Sequence, residues 1–283
     1  MKYTYYPGCT MKTTAVELGL STEAVCRALG IELLELEDWN CCGASSAHSI
    51  DHELSLALPG RNVAIAQETG LDVVTSCPAC YHNSLNADKA LREDEDWRRK
   101  MEALLNFRYT GQVRPRHLLD VLSHDVEMSK IREKVIKPLE GLKVASYYGC
   151  MLVRPPELTG WDNPEFPVTM DRLMEAVGAE PVEWSYKVDC CGASLTLCHS
   201  EVVVDLSSKL VEKATEAGAD CIACACGICL ANLDMRQTVD EKVPILYFTE
   251  LMSLAFGASD VEKWLGKHAV NPRPLLRERG FLS

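Results

Sequence analysis

The phrase Cys-Cys-Gly-Ala-Ser occurs twice in this chain, at 41–45 and again at 190–194. Around each copy the same landmarks recur in the same order. Tyr-Tyr-Pro-Gly-Cys (5–9) answers Tyr-Tyr-Gly-Cys (147–150), and Cys-Pro-Ala-Cys (77–80) answers Cys-Gly-Ile-Cys (226–229). Cys42 to Cys77 is 35 positions, and Cys191 to Cys226 is also 35. Matched intervals of this kind mark an internal duplication, so the chain is expected to fold as two copies of one unit.

The spacing also selects among crowded cysteines. The second half offers Cys221-x-x-Cys224 as well as Cys226-x-x-Cys229, and only the latter reproduces the 35-residue interval. Asn83 and Asn232 keep step, each three positions after the last cysteine of its set. Cys226 and Cys229 are therefore paired with Cys77 and Cys80, with Cys221/Cys224 left as the alternative pair.

Each half alternates strand-like and helix-like segments. In the first, 2–8 is a strand candidate, 13–30 a helix ending at Gly30, 31–37 an alternating strand, 50–69 a helix ending at Gly70, and 71–76 a buried strand. In the second, the same series is 143–149, a helix over 168–177, 179–184, a helix over 200–217 and 220–225. Strands alternating with helices predict an α/β fold with parallel sheets, whose sites collect at the carboxyl ends of strands. Cys9, Cys77, Cys150 and Cys226 each follow a strand candidate. The expected organisation is a first domain over 1–140, including a charged helical insertion at about 85–140, and a second over 141–283 with a C-terminal extension.

Two sets of five cysteines result: Cys9, Cys41, Cys42, Cys77, Cys80 and Cys150, Cys190, Cys191, Cys226, Cys229. Thiolate-only ligand sets favour iron–sulfur groups or zinc. A structural zinc or a cubane cluster takes four ligands, and a spare fifth thiol has no reason to recur in both halves. A pair of redox dithiols is the competing reading. Composition narrows the rest. With 29 basic against 41 acidic residues the net charge is −12, which disfavours binding to nucleic acid or anionic lipid. No leader-like apolar segment opens the chain, and no run reaches the ~18–20 apolar residues of a membrane span. Clustered thiols without an export signal suit a soluble, cytoplasmic protein.

At these residues the sequence resembles a known family. The doubled pattern Cys-x31-CysCysGly-x33-Cys-x-x-Cys and Cys-x39-CysCysGly-x33-Cys-x-x-Cys is similar to the cysteine-rich CCG domain present twice, as in the family of the heterodisulfide reductase B subunit in its soluble form. The resemblance implies Rossmann-like α/β units joined by a helical connecting region. It implies that each five-cysteine set holds a noncubane [4Fe-4S] cluster, with no flavin or nicotinamide in this chain. It further implies one polypeptide of an oxidoreductase complex that reduces, or in reverse forms, an organic disulfide by one-electron steps; in methanogens that disulfide joins coenzyme M to coenzyme B. Electrons would come from a ferredoxin-like C subunit, fed by a flavin-containing A subunit. The alternative is an electron-transfer subunit of a respiratory or dehydrogenase complex, with one CCG site holding zinc.

Other residues read more plainly. Cys26 and Cys221 are expected in the core and Cys198 in a structural role. His48, His82 and His199 are read as surface or structural, although a proton donor beside a cleaved disulfide would be useful. Lys12 and Arg154, just after the leading cysteine of each half, are candidates to receive an anionic group. Trp39 and Trp184 are assigned to the site regions or the core, and the run 92–100 to a solvated helix face.

Overall fold

The computed structural model describes residues 1–44 and 46–282; Ser45, within the first Cys-Cys-Gly-Ala-Ser phrase, and Ser283 lie outside the described residues. The first half runs β1 (Lys2–Tyr5), α1 (Gly8–Met11), α2 (Val16–Ala28), β2 (Glu32–Glu35), α3 (Ala47–Ile50), α4 (His52–Gln67), β3 (Val73–Thr75), α5 (Pro78–Glu93), α6 (Glu95–Leu105), β4 (Pro115–His117), α7 (Leu118–His124) and α8 (Met128–Glu133). The second runs β5 (Lys143–Tyr147), α9 (Thr169–Ala176), β6 (Glu180–Pro181), a 3-10 turn at Ala193–Leu195, α10 (Ser200–Glu216), β7 (Cys221–Cys224), α11 (Gly227–Arg236), β8 (Ile245–Tyr247), α12 (Phe248–Ala255), α13 (Val261–Leu265) and α14 (Arg273–Glu278).

Each half forms a four-stranded parallel sheet of the same order, β2-β1-β3-β4 and β6-β5-β7-β8. The strand order reverses direction between β1 and β3, and again between β5 and β7. That switch point opens a crevice at the carboxyl edge of the sheet. Central strands read as continuous apolar or small runs because helices cover both faces: every residue of β3 and β7 is buried.

Two strands were not expected from sequence. The connection between the halves is helical in α6, α7 and α8, but Pro115–His117 forms β4 and completes the first sheet. Its charged Pro-Arg-His sequence is tolerated because it pairs on one side only. Ile245–Tyr247 does the same in the second sheet as β8, and each of these strands leads straight into a helix. The segment 179–184, expected as a six-residue strand, pairs only at Glu180–Pro181. Glu180 N and Val182 N donate to the Leu142 and Val144 carbonyls, so Pro181, between them, turns its missing N–H to the open edge of the sheet.

The halves meet reciprocally. Helix α2 of the first packs on α12 of the second, and α9 of the second packs on α7 of the first. Because α2 and α9 each follow the first strand of their half, and α7 and α12 the last, the exchange has the form of a two-fold relation. The largest hydrophobic core crosses this seam, joining Val25, Leu118 and Leu122 to Leu173, Phe248 and Leu251. Buried hydroxyls reinforce it, with Ser21 Oγ 2.7 Å from Thr249 Oγ1.

Candidate functional site

The switch point of each sheet carries its cysteines. Cys9 sits in the short helix α1 after β1, and Cys77 caps α5 after β3. In the second half Cys150 follows β5 and Cys226 caps α11 after β7. Both Cys-x-x-Cys pairs therefore occupy helix N-termini.

The burial pattern repeats almost position for position. Cys41 and Cys190 are exposed, Cys42 and Cys191 buried, Cys77 and Cys226 intermediate, Cys80 and Cys229 buried; only the leading pair differs, with Cys9 exposed and Cys150 intermediate. Glycines make room for this packing. Gly8 and Gly149, at φ 71° and 69°, precede the leading cysteines. A Cβ at Gly8 would stand 2.8 Å from Cys80 Sγ, and one at Gly149 3.2 Å from Cys229 Sγ. Only a residue without a side chain lets the first loop lie over the last cysteine. Gly43 and Gly192 turn the chain after each vicinal pair at φ 72° and 80°, so adjacent cysteines escape the alternation of an extended strand.

Sequence reading missed one pair of supporting residues. Tyr6 and Tyr147 each lie three positions before the leading cysteine and are fully buried. Tyr6 Oη donates to the Asn40 carbonyl at 2.8 Å, and Tyr147 Oη to the Asp189 carbonyl at 2.7 Å. Each tyrosine thus tethers the residue just before a Cys-Cys-Gly loop. Their common offset from the cysteine was the available signal.

Within each half the five thiols form a string of neighbours. Cys9 Sγ lies 3.7 Å from Cys41 Sγ, and Cys191 Sγ lies 3.5 Å from Cys229 Sγ. Hydrogen bonds from Cys41 and then Cys80 pull the Cys42 thiol down to about 3, against the effect of burial. Cys80 likewise lowers Cys77. In the second half, Cys150 pulls Cys190 down to about 6, and Cys229 lowers Cys191. The donors Cys41, Cys80, Cys150 and Cys229 are correspondingly raised. Each lowered thiol thus neighbours a raised one that donates to it. Among the described residues no three His, Cys, Asp or Glu side chains gather to hold a single ion. Five sulfurs spread around a loop, with amide donors beside them and no carboxylate among the set, fit a multinuclear group better than a mononuclear one.

The remaining cysteines separate clearly. Cys26 and Cys221 belong to the seam-crossing core, as expected. Cys224 is fully buried beneath the second string, its thiol 3.9 Å from the Cys226 carbonyl. Its first-half counterpart is Thr75, whose Oγ1 accepts from Cys77 N at 3.2 Å. Cys198 is exposed, with its thiol 3.8 Å from the Leu195 carbonyl.

Residues beside the second string reach the first half. A Cβ at Gly227, between Cys226 and Cys229, would stand 3.0 Å from Ala15 Cβ and 3.9 Å from Thr10 Oγ1 of the first half. Met151, next to Cys150, reaches a cavity of about 610 Å³ beside the first string. Gly43, His48, His82, Asn83 and Lys89 line the same cavity. His82 is half-buried with its Nδ1 3.0 Å from Asn86, while His199 is exposed and pairs with Glu201 at 3.4 Å. Lys12 and Arg154 do not stand free as anion receivers: Lys12 pairs with Glu35 at 2.8 Å, and Arg154 with Glu165 and the Pro164 carbonyl. Trp184 is buried with its Nε1 donating to Ser146 O, and Trp39 stacks edge-on against Tyr6. The run 92–100 is a solvated face, with Arg99 paired to Glu95 and Asp96.

Two α/β units, each gathering five thiols at its switch point, define a tandem cysteine-rich-domain protein. The CCG cysteine-rich domain model matches residues 3–83 and 144–234. The chain is 32% identical to the 8-methylmenaquinol:fumarate reductase membrane anchor subunit of Wolinella succinogenes, over 97% of this chain and 99% of that one. It is 30% identical to a protein of Archaeoglobus profundus described as like the heterodisulfide reductase B subunit, over 99% and 98%. It is 29% identical to the B subunit of the ferredoxin/F(420)H(2)-dependent CoB-CoM heterodisulfide reductase of Methanosarcina acetivorans, over 95% and 94%. The chain belongs to the CCG cysteine-rich domain family, among the two-copy proteins that include the heterodisulfide reductase B subunit. A hypothetical protein from Helicobacter pylori shares the fold, with a TM-score of 0.71 at 12% identity over 95% of this chain; the chain spans about half of that one, 51%. No helix among the described residues is long and apolar enough to cross a membrane.

Proposed function

We propose that this chain is the iron–sulfur subunit of an oxidoreductase complex of the heterodisulfide reductase type, acting on an organic disulfide. Cys9, Cys41, Cys42, Cys77 and Cys80 would hold one noncubane [4Fe-4S] cluster, and Cys150, Cys190, Cys191, Cys226 and Cys229 the other. When bound, such clusters supply electrons singly, and two electrons with two protons convert a disulfide into two thiols. The chain's own residues fix the geometry: Tyr6 and Tyr147 tether the vicinal pairs, and the absence of a side chain at Gly227 lets the second Cys-x-x-Cys turn lie close to Ala15. Met151 and Lys89 border the cavity through which a substrate would approach the first string. Electrons would arrive from a ferredoxin-like C subunit and a flavin-containing A subunit. The observation that supports this reading is a matched five-cysteine set at the carboxyl edge of each sheet, with Gly227 and Met151 beside one set reaching the other half. Iron, acid-labile sulfide and zinc measured on protein purified without oxygen test it. Two clusters' worth of iron with matching sulfide and no zinc supports it, as does disulfide-dependent oxidation of the reduced protein.

A second reading has its own support in the fumarate reductase relative, which shares nearly the whole length of the chain. There the chain would pass electrons within a respiratory complex, with one site holding zinc. One cluster's worth of iron with stoichiometric zinc, and no response to disulfides, would favour it.

A further inference from the structure

Asn83 and Asn232 share a constellation that the duplication alone does not require. Each lies three positions after the last cysteine, on α5 and α11, so its side chain sits on the same helix face one turn beyond Cys80 or Cys229. In the first half Asn83 Nδ2 is 3.3 Å from the Cys42 carbonyl and 3.7 Å from Cys42 Sγ. In the second, Asn232 Nδ2 is 3.4 Å from the Cys191 carbonyl and 3.5 Å from Cys191 Sγ. The target in both is the second, buried cysteine of the Cys-Cys-Gly phrase. The amide of Asn232 is also oriented: Thr196 Oγ1 donates to its Oδ1 at 3.2 Å, which turns Nδ2 toward the sulfur. Asn232 is buried, whereas Asn83 borders the cavity beside the first string.

We infer that Asn83 and Asn232 are positioning residues whose amide N–H groups hydrogen-bond the sulfurs of Cys42 and Cys191 and raise the reduction potential of whatever redox group those sulfurs hold. The inference rests on the iron–sulfur reading above. Reduction adds negative charge, and a donor aimed at a ligating sulfur stabilises the more negative state more than the less negative one. The buried, oriented amide of Asn232 acts in a drier setting than Asn83, so its removal has the larger effect. A purely structural role, holding the loop by its carbonyl, predicts no change in potential.

The test compares wild type, Asn83→Leu, Asn232→Leu and Thr196→Val as full-length protein purified without oxygen, with iron content and an EPR-monitored redox titration as readouts. At fixed applied potential Asn232→Leu is expected to lower the reduced-to-oxidised ratio of one redox wave about tenfold, a downward shift of about 59 mV for one electron. Asn83→Leu shifts the other wave less, and Thr196→Val moves the first in the same direction by a smaller amount. Iron content equal to wild type with unshifted potentials in both asparagine variants overturns the inference. If Asn232→Leu fails to retain iron, Thr196→Val decides, a lowered potential supporting the role and an unchanged one overturning it. Wild-type protein free of iron overturns the iron–sulfur reading and the inference with it, a result told apart from the others by the wild-type iron assay alone.

Discussion

Acidification from pH 7 to pH 4 is expected to destabilise the first half through one residue, His117. The ring ends β4, is wholly buried, and lies edge-on to Tyr81 at 5.9 Å. Its Nδ1 accepts from Leu119 N at 3.1 Å and so caps α7, a role that needs the unprotonated nitrogen. Burial pushes its pKa from 6.5 down to about 4, against smaller opposing pulls from the Ser76 backbone and Asp120. Each pH unit of that gap is worth about 1.4 kcal/mol, so withholding the proton costs the folded state up to about 3 kcal/mol. Below pH 6.5 the unfolded chain takes up a proton that the folded chain refuses until about pH 4. Stability from this residue is therefore complete above pH 6.5 and is lost as pH falls toward 4. Urea midpoints of wild type and His117→Asn, measured from pH 7 to pH 4, isolate the effect, because the carboxylates are common to both. Asparagine keeps a capping oxygen and cannot titrate. The variant should start less stable at pH 7, from the smaller side chain, yet lose less on acidification. Parallel curves across that range would refute the assignment. The equivalent position in the second half is Tyr247, whose hydroxyl is held well above its ordinary range by burial and so carries no charge change in this window.

Three further outcomes follow from the site. Cys226→Ser should lose roughly one cluster's worth of iron while Cys221→Ser, sitting in the core, keeps it all; iron lost from Cys221→Ser and kept in Cys226→Ser would instead point to the Cys221/Cys224 pair. Gly227→Val should cost about 1–3 kcal/mol by overpacking the seam against Ala15. It should also slow disulfide turnover at unchanged iron content, and a variant matching wild type in both thermal midpoint and turnover would show the seam to be loose. Tyr147→Phe removes one buried hydrogen bond, worth about 0.5–1.5 kcal/mol, and should speed iron loss to a chelator; an unchanged release rate would mean the tether does not hold the loop.

Much of this was legible in the residues, and the reasons are specific. The repeated intervals identified the two strings because a duplicated unit carries its loop lengths with it. Gly30, Gly70, Gly178 and Gly218 marked helix ends where the structure has them, each at positive φ. What failed was the extent of the repeat. Residues 115–124 and 245–255 are equivalent strand–helix units, each with an acidic residue, Asp120 or Glu250, at the third helical position. They escaped notice because three-residue strands leave no periodicity, and because charged Pro-Arg-His bears no likeness to apolar Ile-Leu-Tyr. The interval from the last cysteine also differs, owing to α6, which only the first half contains. The tyrosine tethers and the amide–sulfur contacts needed coordinates, since their partners are backbone carbonyls and a thiol some 40 positions away.

The reciprocal packing of α2 on α12 and α9 on α7 has an evolutionary corollary. A single-copy ancestor could build the same face only as a symmetric homodimer, where every substitution in one half appears in the other. Joining the copies in one reading frame removed that bond. Pro78 could then stay opposite Gly227, Thr75 opposite Cys224, and His82 opposite Ala231, each half selected on its own terms. Two five-thiol sets with one ancestry thereby came to sit in unlike surroundings.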